Sequence, residues 1–363
     1  MLEISCFTGF DTGKLPCHGR WQEQILNQFI KKRFIMRKIT GIKKSLTVCA
    51  ALALLGTYSC KETKETKEEK MEETVQEVSA EPFFDLSLAQ WSIHKMIFQD
   101  GVDPYSFAEK SKEWGFTGLE YVSQLYNPEL SDANYSEEAM AAFVAKSNAE
   151  AKKYGMKNVL IMIDGQGNLA ASDEKERNET VEKHKRWVDA AAAMGCHAIR
   201  VNLNGSSEPE EWKKNSVDGL TKLGSYAKTK NINVLVENHG GLSSNGALHA
   251  EVMKMTNMDN VGSLPDFGNF CIERSENGCA NEYDKYKGVA ELMPYAKAVS
   301  AKSNEFDAQG NDRGIDYVKM LQLVKDAGYT GYIGVEYEGN ELGEEAGIRA
   351  TRDLLLKANK EIK

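Results

Sequence analysis

From residue 83 onward the chain alternates two kinds of apolar pattern. Short, nearly continuous apolar runs stand at 84–91, 118–122, 158–163, 198–203, 233–237, 261–266, 298–302 and 332–336. Such runs predict strands covered on both faces, because no alternate position is given over to solvent. Between them, 105–114, 136–154, 174–194, 212–229, 247–255, 283–295, 317–327 and 344–359 carry apolar residues at helical spacing, the stripe of a helix with one buried face. Trp114-Gly115, Tyr154-Gly155, Met194-Gly195 and Ala327-Gly328 place a glycine just past a predicted helix, where left-handed backbone closes the last turn. Repeated strand-then-helix units over 83–363 predict an α/β fold, a single (β/α)8 TIM barrel, for which ~250 residues is typical. The rival is a doubly wound open sheet. It carries a Gly-rich phosphate loop after its first strand, whereas here that strand runs into Ala89-Gln90-Trp91-Ser92-Ile93-His94.

The first 82 residues follow another grammar. Met36 is a second plausible start, followed by a basic stretch to Lys44, an apolar run at 46–56 and then Thr57-Tyr58-Ser59-Cys60. This order reads as a secretory signal, and the run is too short for a membrane span, which needs ~20 apolar residues. Cys60 after Ser59 resembles a bacterial lipobox, with Thr57 where leucine is usual; an ordinary signal peptide with an incidental cysteine is the plainer alternative. The expected organisation is an upstream extension from a mis-called start at 1–35, a signal peptide with a lipobox-like end at 36–60, a disordered charged tether at 61–82 and the barrel at 83–363. The tether, KETKETKEEKMEETVQEVSAEP, has almost nothing to bury. The expected location is outside the cytoplasm, periplasmic or at the cell surface, with the membrane reached only through an N-terminal lipid anchor.

Charge and cysteine usage narrow the chemistry. Lys plus Arg number 45 against 54 Asp plus Glu, a net charge of −9. That balance argues against nucleic acid as a partner, since neutralising phosphates needs a basic surface. The seven cysteines include no CxxC, which excludes a zinc ribbon. Cys271 and Cys279 can pair after export, although their spacing does not show it.

In a barrel of this kind the active site lies at the C-terminal ends of the strands. The polar residues there are Gln90, Ser92 and His94 after the first strand, Glu120 in the second, Asp164 after the third, and Arg200, Asn202 and Asn204 along the fourth. The fifth ends Glu237-Asn238-His239-Gly240, the sixth Pro265-Asp266-Phe267-Gly268-Asn269, the seventh Ser300-Ala301-Lys302-Ser303 and the eighth Glu336-Tyr337-Glu338. One strand-end carboxylate is explained by solvation or a helix cap. Three, at Glu237, Asp266 and Glu336, would repel one another on the barrel axis, and a divalent cation relieves that repulsion; oxygen ligands suit Mn²⁺ or Mg²⁺.

Val236-Glu237-Asn238-His239-Gly240, Leu264-Pro265-Asp266-Phe267-Gly268-Asn269 and Ile333-Gly334-Val335-Glu336-Tyr337 resemble the strand signatures of the sugar phosphate isomerase/epimerase family, within the xylose isomerase-like TIM barrel superfamily. The resemblance covers residues 83 to about 360 and separates the superfamily's reactions poorly. It implies that Glu237 and Glu336 are the paired glutamates that bind metal and move protons, and that Asp266 is the third metal ligand. The family usually has histidine where Ser300 and Asn269 stand here. Lys302 keeps the family pattern and is expected to hold a substrate oxygen or polarise a carbonyl.

The residues support the same chemistry. Moving a proton beside a sugar carbonyl requires a base, an acid and stabilisation of an enediolate, roles that suit Glu237, Glu336, Lys302 and a metal. His94, Glu120, Asp164, Asn202, His239 and Asn269 are the candidate substrate contacts. The leading expectation is an exported, metal-dependent sugar isomerase or epimerase acting on a small carbohydrate. Two alternatives are a lyase or hydratase on 3-keto sugars or glycosides, and a non-catalytic carbohydrate-binding lipoprotein.

Overall fold

The computed structural model describes residues 81–276 and 278–363. The proposed signal peptide, Cys60 and nearly all of the tether lie outside the described residues. Eight parallel strands form one sheet: β1 (Asp85–Ala89), β2 (Gly118–Val122), β3 (Lys157–Met162), β4 (Ala198–Val201), β5 (Asn233–Glu237), β6 (Val261–Leu264), β9 (Val299–Ser303) and β10 (Tyr332–Tyr337). Their order is β6-β5-β4-β3-β2-β1-β10-β9. The free edges of β6 and β9 meet through two isolated parallel bridges, Ser263 with Ala296 and Asp266 with Ser300. At the second bridge Phe267 N–H donates to Ser300 O at 3.1 Å, and Ser300 N–H to Pro265 O at 2.9 Å. The sheet is therefore a closed barrel, and the open-sheet alternative falls away.

Ten helices follow in chain order among the described residues. They are α1 (His94–Phe98), α2 (Phe107–Glu113), α3 (Asn127–Asp132), α4 (Glu137–Tyr154), α5 (Glu174–Met194), α6 (Pro209–Thr229), α7 (Gly246–Thr256), α8 (Lys285–Leu292), α9 (Tyr317–Asp326) and α10 (Glu344–Glu361). Local chemistry sets their starts. The side chains of Ser136, Asp173, Asn245, Asp284 and Asp316 each accept a hydrogen bond from a first-turn backbone N–H. α4 and α5 end at Gly155 and Gly195, whose φ of 65° and 73° is the left-handed closure their sequence predicts. The core lies between strands and helices, where Trp114, Trp187, Trp212 and Phe143 are fully buried. No helix among the described residues is long and apolar enough to cross a membrane.

The short helices α1 and α3 fall outside the eight expected stretches, and three further features depart from the sequence pattern. The first apolar run is only a strand to Ala89, because the Gln90 side chain ends the ladder: its amide donates to Tyr126 Oη at 2.8 Å and accepts from Val122 N–H at 3.1 Å. The helix expected at 283–295 is shorter, with a 3-10 turn taking over at Met293–Tyr295, which contains Pro294. Between β6 and α8 an antiparallel hairpin stands out, β7 (Cys271–Ser275) and β8 (Gly278–Glu282), closed by a disulfide between Cys271 and Cys279. Its base is anchored by Phe270, fully buried against Gly288 of α8; a Cβ there would lie 2.2 Å from the Phe270 ring, so only glycine lets the ring seat.

Candidate metal centre and active site

Glu237 ends β5, Asp266 follows β6 and Glu336 stands near the end of β10, so barrel closure brings three sequence-distant carboxylates together. One oxygen from each lies within 4.8 Å of the others, and all three residues are buried. Asn238 fixes the backbone beneath them: it accepts from Asp266 N–H at 2.8 Å and donates to Asp266 O at 3.0 Å and Asn269 O at 3.1 Å.

Each carboxylate has a different set of donors. Both oxygens of Glu237 are engaged, Oε2 with Arg200 Nε at 2.8 Å and Oε1 with Asn269 Nδ2 at 3.0 Å. Asp266 Oδ1 accepts from the backbone N–H groups of Gly268 at 2.8 Å and Asn269 at 2.7 Å. Ser300 Oγ lies 2.8 Å from Asp266 Oδ2 and 3.1 Å from Glu336 Oε2. A hydroxyl has one proton, so it cannot donate to both carboxylates at once. A cation or a retained acid proton must make up the difference. Lys302 Nζ reaches Glu336 Oε2 at 3.5 Å and Glu338 Oε1 at 3.0 Å. Arg200 Nη1 also holds Asp164 at 2.8 Å, to which Asn202 donates at 2.9 Å. Five carboxylates thus face two fixed cations, Arg200 and Lys302. The excess of negative charge and the all-oxygen donor set fit a divalent metal, which Glu237, Asp266 and Glu336 would hold with Ser300 beside them.

The candidate substrate contacts divide. Asp164, Asn202 and Asn269 join the cluster through Arg200 and Glu237. His239 is exposed at the mouth, its pKa lowered by burial of the ring's surroundings and by the Arg200 and Lys302 charges. His94 stacks on Trp91 at 4.4 Å and lies 3.5 Å from Glu344. Glu120 sits apart. It accepts from Ser87 Oγ at 2.6 Å and fills the space over Gly334, two residues before Glu336. Two members stand among the strand-end polar residues of the sequence without a role assigned to them there: Arg200, a lone cation inside an apolar strand, and Glu338, which repeats Glu336 at the two-residue spacing of one strand face.

Burial raises the Glu120 carboxyl to about 8, with Glu336 and Glu237 adding repulsion. Burial likewise lifts Glu237 and Asp266 above the ordinary carboxylate range, further raised by Glu336 and opposed by Arg200 and Lys302 respectively. Each group holds its proton more tightly folded than unfolded. Their contribution to stability is fully present below ~4, the unfolded value, and is lost as pH rises through the raised values. The denaturation midpoint of ion-free protein should therefore lose this contribution between pH 5 and pH 8.5, and a bound divalent ion should restore it at the upper end. Chemical denaturation of parent and Glu120→Gln checks this: the variant should show a shallower fall, and equal slopes would refute the assignment.

The wider likenesses agree with this architecture. Residues 108–358 match the family described as xylose isomerase-like TIM barrel. Among solved structures, a xylose isomerase-like TIM barrel protein from Mycobacterium smegmatis in complex with magnesium is 17% identical, with 70% of this chain and 87% of that one covered and a TM-score of 0.52. A D-psicose 3-epimerase, solved in the presence of D-fructose, is 15% identical over 76% of this chain and 96% of that one, with a TM-score of 0.55. A 3-keto-D-glucoside 4-epimerase from E. coli is 14% identical over 76% and 99%, with a TM-score of 0.53. No curated protein matches the chain by sequence. At these identities the structures are alike in fold, while the family match spans most of the chain: this protein belongs to the xylose isomerase-like TIM barrel family.

Proposed function

We propose that the protein is an exported, metal-dependent sugar isomerase or epimerase. The observation that carries the reading is the convergence of Glu237, Asp266 and Glu336, buried at the strand ends with Lys302 beside them. A bound Mn²⁺ or Mg²⁺ would neutralise the carboxylates and draw electron density from the sugar carbonyl. The chain's own groups then divide the work. Glu336 Oε1 accepts no hydrogen bond among the described residues, so it is the oxygen placed to take the proton from carbon. Glu237, with both oxygens engaged by Arg200 and Asn269, is the more rigid partner. Burial opposes the Lys302 charge, but Glu336, Asp266 and Glu338 outweigh it and keep the ammonium protonated, ready to hold the oxygen where enediolate charge develops. Delivery of a second proton to the opposite face of the same carbon by Glu237 in its acid form, with Glu336 keeping the first until solvent exchange, epimerises; return of the first proton by Glu336 to the neighbouring carbon isomerises.

The test follows products by NMR in deuterated water, with Mn²⁺ and free, 3-keto and glycosidic sugars. Deuterium in an epimerised or isomerised sugar supports the reading. Loss of water or aglycone after the same proton removal would assign a lyase, and binding without turnover a carbohydrate-binding protein.

Export is supported by the Cys271–Cys279 bridge on an exposed hairpin, a bond kept in oxidising compartments. Expressed from Met36 in a bacterium, the protein should take up labelled fatty acid and enter the membrane fraction. Cys60→Ser should abolish the label; a variant still labelled would sink the lipid-anchor proposal.

A further inference from the structure

Lys302 stands directly opposite Glu336 in the pairing of β9 with β10. Its ammonium nevertheless lies closer to another carboxylate, 3.0 Å from Glu338 Oε1 against 3.5 Å from Glu336 Oε2. The two glutamates differ in what surrounds them. Among the described residues, the oxygens gathered within 4.8 Å of one another come from Glu237, Asp266 and Glu336, and Glu338 stands outside that group. The Glu336 side chain is 6% exposed and that of Glu338 is 32% exposed, so the ammonium leans from the buried centre toward the mouth.

Glu338 is held where it stands. The two-residue step from Glu336 keeps both side chains on one face of the chain. The Glu338 backbone N–H donates to Ser303 O at 3.0 Å, which carries the β9–β10 pairing one step past the strand. The next residue is anchored from the far side, where Lys95 Nζ donates to Gly339 O at 3.0 Å. Lys302 is fixed as well, buried and with its stem against Gly268. With both chains clamped, the two carboxylates decide where the ammonium rests.

That position has a chemical consequence. Seated on Glu336, the ammonium would be a rival cation at a ligand carboxylate, and charges in a buried site are weakly screened. Drawn toward Glu338, it leaves Glu336 to the ion. An ammonium has three N–H donors, so one remains for a substrate oxygen beside the two carboxylates.

We infer that Glu338 is a positioning residue: it draws the Lys302 ammonium outward from Glu336, so that Glu336 serves the ion and Lys302 meets a substrate oxygen at the mouth. The inference rests on the metal-dependent reading above and adds how the lysine is kept from competing with the ion. Glu338 has no contact with the reacting carbon in this role.

The experiment is a double-mutant cycle in Mn²⁺ affinity, read by calorimetric titration of the full chain as parent, Glu338→Gln, Lys302→Met and the two combined. Glu338→Gln removes one negative charge from the neighbourhood of the ion in either background, and that shared loss cancels in the cycle. What remains is the effect of an ammonium released onto Glu336. Glu338→Gln should therefore weaken Mn²⁺ binding by about five- to fiftyfold more when Lys302 is present than in Lys302→Met, within the coupling range of residues in contact. A residue that only supports the fold would weaken binding equally in both backgrounds. Because the Glu338 side chain is partly exposed and its backbone bond to Ser303 does not use it, the variant keeps the fold. Equal losses in the two backgrounds, or tighter binding in Glu338→Gln, would overturn the inference and leave the metal centre standing. A parent that binds no Mn²⁺ would overturn both. Coupling of the expected sign without turnover of any sugar would uphold the inference while refuting the isomerase reading.

Discussion

Asp266→Ala should reduce divalent-ion affinity by on the order of a hundredfold or more, beyond the ~10–100-fold typical of losing an outer-shell partner. Asp266 is fully buried and is the carboxylate nearest Ser300, so its removal takes away a ligand and leaves nothing at hand to replace it. The fold should survive. The Asp266 backbone remains clamped by Asn238 and the bridge to Ser300, neither of which uses the lost carboxylate. Calorimetric titration with Mn²⁺ reads the outcome, alongside Ser300→His, which should tighten binding if that position faces the ion. An Asp266→Ala protein that binds Mn²⁺ as well as the parent would dismantle the metal centre.

Lys302→Met should have the opposite signature: ion binding retained or tightened, turnover reduced by about 10²–10⁴, the scale of losing one transition-state charge partner. Lys302 is 3% exposed, and its ammonium competes with any ion for Glu336. Removing it leaves more negative charge for the ion. Methionine keeps the stem that packs beside Gly268, where an added Cβ would lie 2.8 Å from Lys302 Cγ. Without ion the variant should lose stability, by about 3–5 kcal/mol if the pair behaves as a broken buried salt bridge. Mn²⁺ titration, steady-state rates and denaturation in parallel separate these effects. Loss of ion binding with the lysine would show that it supports the centre structurally.

The barrel was legible because its strands are covered on both faces. The second and fifth apolar runs coincide with β2 and β5 to the residue. The first run, 84–91, overshot because Trp91 is apolar for a different reason, packing in a 3-10 turn. The β7–β8 hairpin escaped notice since most of its residues are exposed, so no burial period was written into them. Within the site, the three carboxylates could be picked from their strand-end positions, whereas the pairing of Arg200 with both Asp164 and Glu237 could not. Those residues belong to three neighbouring strand units, β3, β4 and β5, and the side-by-side pairing of the strands sets one guanidinium between two carboxylates.

β6 and β9 are joined by isolated bridges instead of a continuous ladder, and one of those bridges is Asp266 with Ser300. The place where the barrel is least tied together is therefore where its carboxylates gather. Local opening of that seam would pull Asp266 away from Glu336. A cation held between them must be released before the seam can part, so the amides of Phe267 and Ser300 would exchange with solvent more slowly in its presence. For this seam, the free energy of local opening and the free energy of ion binding are linked, and each can be read from the other.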